Sequence, residues 1–462
     1  MSSNDDEAMS NEMEVDQKME LMEVKDDDEG SDDEESSDEE EEEEEGEAKT
    51  YLPGVKLEEG EELEIDEQAY VVYHQASLGP PCLSFDLLPE LSQPDFPLSI
   101  TAVAGTQANK VTANSIIVFR MSNMHSVKPV EDDEEEEEEK EEEKPVMRMA
   151  GIRHSGCVNR VRYSCIGPTP VVAAWAESGT VSVFNLAPLL ERLDLPGKEN
   201  KEVVRDDCSP LQTFAGHKTE GFALDWSSVA SGSLATGDCS GGIHVWMPGS
   251  GGTWSVSEKS YASHTASVED VRWSPNEANV LVSCSCDKSL KVWDVRADPS
   301  KACMLTQANA HASDVNVIDW NPNDPFIVSG GDDGLVKIWD LRNFGSKSEA
   351  VATFAHHTAP VTCVEWHRED STVLASGGED HQVRQTCFTN GRRQNCLIIA
   401  GGPMGPCSGE RSRVRGSHRR RRRAQWTAAP AFVHPPGHEG CQGTSLARQD
   451  SWPFSRNLSY GL

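Results

Sequence analysis

Hydrophobic and polar positions along this chain alternate in short runs, and the runs return at a fixed interval. "VEDVRWSP" (268–275) alternates apolar and polar residues with the two-residue period of a strand. "NVLVSCSCD" (279–287) follows as a mostly apolar run, the pattern of a strand covered on both faces. "SLKVWD" (289–294) is a third strand. This pattern recurs about every 47 residues: Trp226, Trp273, Trp320 and Trp366 stand 47, 47 and 46 apart. His217, His264, His311 and His357 keep the same step, as do Trp246, Trp293 and Trp339. A period of this length ending on Trp-Asp predicts an all-β fold, a WD-repeat β-propeller with one four-stranded blade per repeat.

Polar residues recur inside the same frame. His264, Ser283, Asp287 and Trp293 fall where a WD repeat places a buried hydrogen-bonded tetrad, and His311, Ser329, Asp333 and Trp339 repeat the set. A buried imidazole and carboxylate are costly unless every polar atom is paired, so such a tetrad fixes the geometry of its blade. The recurrence in blade after blade argues against catalysis, which needs one site rather than several copies. There is no phosphate-binding glycine loop, unique nucleophile or pair of catalytic carboxylates. The expectation is a protein that is not an enzyme and takes no cofactor.

Two weaker blades precede these, at 99–121 and at 154–186, where Phe184 holds the Trp position. The repeat beginning at His357 makes a sixth and keeps register through Asp380. A Trp is then due at 386, but that residue is Thr. The third strand of the sixth blade, and everything after about Val383, is therefore expected to be lost. Residues 384–462 hold thirteen Arg against three acids, a net charge of +10, while the first 383 residues carry 28 basic and 76 acidic residues, a net of −48. A tail of this composition is expected to be disordered. Its "SHRRRRRA" (417–424) reads either as a nuclear-localisation patch or as sequence of another reading frame joined to the propeller.

Charge then adds a partner class. Residues 26–47 and 131–143 are acidic tracts, and the whole chain has a net charge of −38. Like-charge blocks stay extended and act as interaction tails. Glu134, Glu135, Glu136 and Glu137 of the second tract, placed in the connection between the first two blades, are the candidates for capturing a basic partner. Such a field speeds association, acts over roughly 8 Å at physiological salt, and repels DNA from the propeller itself. Ser31, Ser36 and Ser37 each precede an acid by three residues and are candidate phosphorylation sites that would deepen the charge.

Between the first tract and the first blade, Ile65, Ala69, Val72, Tyr73 and Ala76 recur at helical spacing. Asp66 caps the start and Gly79-Pro80 ends it, which predicts a docking helix followed by a strand at "CLSFDLL". The predicted organisation is an acidic tail at 1–60, a helix and closing strand at 61–91, a propeller at 92–383 with an acidic loop at 122–148, and a divergent tail at 384–462. No apolar run approaches the length of a membrane span, and the acidic N-terminus lacks a signal peptide's apolar core. Thirteen scattered cysteines suit a reducing compartment. Cys284 and Cys286, and the loosely spaced His434, His438 and Cys441, fall short of a metal site.

"AYVVYHQASLGPPCLSFD" (69–86), ahead of WD repeats and beside glutamate tracts, resembles the histone-binding WD-repeat family, and in particular its glutamate-rich members. The resemblance covers roughly residues 50–383. It implies a seven-bladed propeller, a nuclear and nucleolar location, histones and other basic cargo such as ribosomal proteins as partners, and a role in chromatin or ribosome assembly. In that family an N-terminal helix and an acidic loop before the last blade form a groove for a histone helix. Tyr70 and Tyr73 match the helix side, whereas the loop and last blade belong beyond the point where this sequence departs. A second reading is a substrate receptor for a cullin-RING ubiquitin ligase. "IVSGGDDGLVKIWDLR" (327–342) resembles the box that docks on the ligase adaptor, with Asp333, Trp339, Asp340 and Arg342 in place and Arg296 at the equivalent position one blade earlier.

Overall fold

The computed structural model of the chain describes residues 70–127, 144–195, 203–205, 208–345, 349–389 and 392–400, with 203–205, 389 and 392–400 as backbone only. Six antiparallel sheets follow one another along the chain, the blades of a β-propeller. Each is a meander, so neighbours in sequence are neighbours in the sheet. The fourth sheet runs Val268–Trp273, Val280–Ser285, Leu290–Asp294 and Cys303–Gln307 from inside to outside. The fifth repeats it with Val315–Trp320, Phe326–Gly331, Val336–Asp340 and Ala352–Phe354. Second strands are almost wholly buried because both faces meet a neighbouring sheet, which is why they read as apolar runs.

Apolar clusters fill the spaces between successive sheets. Val103 and Ile116 meet Val161 and Tyr163 between the first and second sheets. Val183 and Trp175 meet Trp226 and Leu234 between the second and third. Ile338 and Val328 meet Val364 and Trp366 between the fifth and sixth. Gly330 permits the last approach: a Cβ there would lie 2.5 Å from Cγ1 of Val361. Gly237 does the same beneath Val268, where the distance would be 2.7 Å. Polar clasps reinforce the stacking. A carboxylate on one innermost strand accepts a backbone N–H from the next: Asp86 from Tyr163, Asp225 from Trp273, and Asp319 from Trp366, each at 2.8 Å.

Four sequence-based expectations change. Cys82–Leu87 does not await a partner from the far end of the chain. It is the innermost strand of the first sheet, paired with Leu98–Thr106 in the register Phe85↔Ala104. Its Ser84 and Asp86 bond to the second sheet, an arrangement open only to an inner strand. The propeller therefore begins at 82 rather than 92.

The sixth sheet keeps its third strand, Gln382–Thr389, and the backbone of Arg392–Ala400 pairs as a fourth. Thr386 lies opposite Leu374, the register that Trp293 and Trp339 hold opposite Leu281 and Ile327. Backbone pairing needs no tryptophan, and the alternation of buried Thr386 and Phe388 suffices to seat the strand. The boundary of the tail moves from 384 to beyond 400; residues 401–462, with the arginine run and His434, His438 and Cys441, lie outside the described residues.

Residues 70–78 carry no helix. The remainder of the expected helix, 61–69, lies outside the described residues. An isolated helix of this length is marginal without a surface to bury its stripe, and hydrogen bonds to 125–127 hold this segment extended instead. Finally, the acidic loop joins Ser115–Met124 to Val146–Arg153, the third and fourth strands of the first sheet, rather than two blades. Its residues 128–143, including Glu134, Glu135, Glu136 and Glu137, lie outside the described residues, as do Ser31, Ser36 and Ser37.

Candidate partner-binding site

The surface that unites the sequence features lies at one edge of the first sheet. Tyr70 and Tyr73 are ring neighbours, with centroids 5.3 Å apart. Between them Val71 is 73% exposed, an apolar side chain held toward solvent. Its carbonyl accepts the backbone N–H of Val127 at 2.9 Å. His74 Nε2 lies 3.3 Å from the carbonyl oxygen of His125. On the return side, Asn123 Nδ2 donates to the carbonyl of Lys144 at 3.0 Å. Val127 and Lys144 are the two residues that flank the acidic connection, so both of its ends are rooted beside Tyr70 and Tyr73. Below the segment, Leu78 packs with Phe85, Phe119, Met121 and Met149 on the face of the first sheet turned away from the second.

The tetrads assemble as buried relays. His264 Nδ1 lies 2.9 Å from Asp287, its Nε2 2.7 Å from Ser283 Oγ, and Trp293 Nε1 donates to that oxygen at 2.8 Å. His311, Asp333, Ser329 and Trp339 repeat these distances at 2.9, 2.8 and 2.9 Å. Burial pushes both imidazoles below their usual range, which keeps them neutral. Burial alone would raise Asp333, but the hydrogen bond from His311 and two backbone N–H groups hold it down at about 2. A further relay, His217, Asp238, Thr236 and Trp246, uses threonine in place of serine, a substitution that scanning for serine overlooks. Both ring nitrogens of each of these three histidines are already committed inside the sheet, which leaves none of them for chemistry on a substrate.

The arginines of the adaptor box sit at equivalent ends of adjacent sheets. Arg342 makes a two-pronged contact with Asp340 at 2.8 Å, and its guanidinium lies 5.6 Å from the ring of Phe326. Arg296 grips Asp294 in the same way, with its closest approach at 2.6 Å. Both arginines are exposed, and the fork geometry fixes two planar cations on one rim. Asp333 and Trp339 belong to the buried tetrad of the same sheet, so they set the position of this rim rather than reach a partner. Among the described residues no helix is long and apolar enough to cross a membrane, and no group of three or more His, Cys, Asp or Glu is placed to hold a metal ion. Cys284 is buried and Cys286 turns its thiol to Glu269 at 3.2 Å.

Comparison with known proteins bears on both surfaces. The family described as WD domain, G-beta repeat matches residues 255–294, 302–340 and 348–385. The chain is a WD-repeat protein. A second family, described as histone-binding protein RBBP4 or its counterpart in the CAF1 complex, matches residues 60–125, the stretch that holds Tyr70, Tyr73 and the first three strands. The Arabidopsis thaliana protein HEAT STRESS TOLERANT DWD 1 is 42% identical over 253 residues, covering 49% of this chain and 53% of that protein. Glutamate-rich WD repeat-containing protein 1 of Dictyostelium discoideum is 37% identical, covering 50% of each. Ribosome assembly protein rrb1 of Schizosaccharomyces pombe is 36% identical, covering 49% of this chain and 48% of that protein. The resemblance to glutamate-rich WD-repeat proteins read from 69–86 is thus joined by measured similarity to such proteins. The chain spans about half the length of the curated relatives it matches.

Proposed function

We propose that this WD-repeat protein is a non-enzymatic chaperone and scaffold for basic nuclear proteins, histones first and ribosomal proteins second, acting in the nucleus and nucleolus during chromatin assembly or ribosome biogenesis. The observation that carries this reading is the Val71–Val127 hydrogen bond, which roots a thirteen-residue acidic tract beside two neighbouring tyrosines. The acids attract a basic segment and keep it from nucleic acid, while Tyr70, Val71 and Tyr73 supply the apolar and aromatic contacts that charge alone lacks. The histone-binding family match over 60–125 supports it, and the name of the fission-yeast relative supports the ribosomal branch.

Binding of purified core histones across a salt series tests it. Exchanging the acids of 131–143 for Ser and Gln should weaken binding at low salt and flatten its salt dependence. A single exchange should change little, because an exposed ion pair is worth only about 0.2–1 kcal/mol. Changing Tyr70 and Tyr73 to Ala should weaken binding at every salt concentration. Unaltered affinity in both variants would sink the reading.

A second reading, docking on the adaptor of a cullin-RING ligase, is favoured by the paired forks of Arg296 and Arg342. Pull-down with the adaptor separates the two. Arg342→Ala should abolish capture by the adaptor and leave histone binding intact.

A further inference from the structure

The sixth sheet completes its relay with a different residue from the sheets before it. In the fourth and fifth sheets an indole N–H from the third strand donates to the central serine, Trp293 to Ser283 and Trp339 to Ser329. In the sixth, Thr386 stands at that register and has no ring to offer. His357 still meets Ser376 at 2.9 Å and Asp380 at 3.1 Å. The missing contact comes from His356, whose Nε2 lies 3.1 Å from Ser376 Oγ and whose ring stands 4.7 Å from that of His357. The corresponding positions in the third, fourth and fifth sheets are Gly216, Ser263 and Ala310, none of which could do this.

The protons can be placed. Asp380 accepts from His357 Nδ1–H, so His357 Nε2 is an acceptor and takes the Ser376 hydroxyl proton. Ser376 Oγ then accepts from His356 Nε2–H. His356 thus does the work of an indole, but an indole cannot be charged and an imidazole can. The groups facing His356 are unfavourable to charge. Arg384 on the third strand and His357 both oppose it, and Phe354 presents a ring at 6.1 Å. Asp380 is already committed to His357 and to the backbone N–H groups of Thr358 and Gln382. Burial, His357 and Arg384 together push His356 down to about 4.

We propose that His356 is an acid-sensitive latch on the sixth sheet: charging its ring beside Arg384 and His357 releases Ser376 and opens Val373–Gly378 and Gln382–Thr389 ahead of the other sheets. The depressed imidazole is favoured neutral in the folded sheet and charges more easily once the sheet opens. Its contribution is therefore complete above about pH 6.5 and declines as the pH falls toward about 4, by at most about tenfold in the opening equilibrium per pH unit.

Hydrogen exchange of the full chain, corrected for intrinsic rates, tests this at about pH 7 and about pH 5. Protection across Val373–Gly378 should fall about tenfold at the lower pH while Val280–Ser285 in the fourth sheet holds steady. His356→Gln keeps a side-chain N–H donor without a titrating ring and should remove the difference. Arg384→Gln should reduce it, because one opposing cation is gone. The proposal is overturned if the sixth sheet shows no excess response, if His356→Gln retains it, or if Arg384→Gln leaves it unchanged.

Discussion

The carboxylate of Asp319 accepts the backbone N–H of Trp366 at 2.8 Å, one repeat further along the chain and one sheet over. This contact ties the inner rims of two sheets that otherwise meet mainly through side-chain packing, and Asp225 with Trp273 makes the same tie two sheets earlier. Asp319→Ala would leave a backbone donor without its acceptor in a confined space, at a cost of about 1–3 kcal/mol. Asp319→Asn keeps an acceptor oxygen and removes a carboxylate whose ionisation burial resists, so it should cost far less. Thermal melting of the two variants checks this; equal losses would mean that the acceptor oxygen is not what matters.

Asp225 makes the same kind of tie sensitive to pH. Burial pushes its carboxyl up to about 6, against the lowering influence of Arg272, which Asp270 holds at the closer distance of 3.3 Å. A carboxyl raised in the folded state binds its proton more readily there than in the unfolded chain. Its contribution is therefore greatest below about pH 4 and declines as the pH rises through about 6. The difference in stability between Asp225→Asn and the unaltered protein should shift in favour of the variant across that window and level off above it. A difference that is flat from about pH 4 to 7 would contradict this assignment.

The two aspartates were hidden in the sequence because each acts on a residue about 48 positions away, and only the stacking of sheets reveals the pair. The tetrads were legible because every member recurs at the repeat period, so His264, Ser283, Asp287 and Trp293 could be named together. The sixth relay was not, since its donor comes from His356, which precedes the periodic histidine, rather than from the third strand. Searching for tryptophan at 386 also concealed a strand whose alternation at Thr386 and Phe388 was present, followed by Asn390-Gly391, a dipeptide that favours short hairpins. For Cys82–Leu87 the strand itself was readable, but its register against Ala104 and Val103 is a tertiary choice. At 70–78 a helical stripe yielded to hydrogen bonds with 125–127, contacts that local spacing does not encode.

The relay also makes a prediction for its central hydroxyl. Ser283→Ala would strand two buried groups, the indole N–H of Trp293 and Nε2 of His264, at a cost of about 2–4 kcal/mol. Ser283→Thr should be far milder, because Thr236 already serves His217 and Trp246 at 2.8 and 3.1 Å in the third sheet. Denaturant unfolding distinguishes them. If threonine proved as damaging as alanine, shape at that position would matter more than the hydroxyl.

The ends of the array should differ from its middle. Apolar clusters join each sheet to the next from the first to the sixth, and among the described residues none joins the sixth to the first. On its outer face the first sheet has Leu78 packed with Phe85, Phe119 and Met121 in place of a neighbouring sheet. A sheet held on both sides loses two interfaces on opening, whereas a terminal sheet loses one, so local opening should cost less at the ends. At neutral pH, where His356 is uncharged, amides of Val361–Trp366 should exchange faster than those of Val315–Trp320, and Leu98–Thr106 should exchange faster than Val268–Trp273. Uniform protection across all six sheets would mean that the sixth and first sheets are bridged by an interface as strong as the five between them.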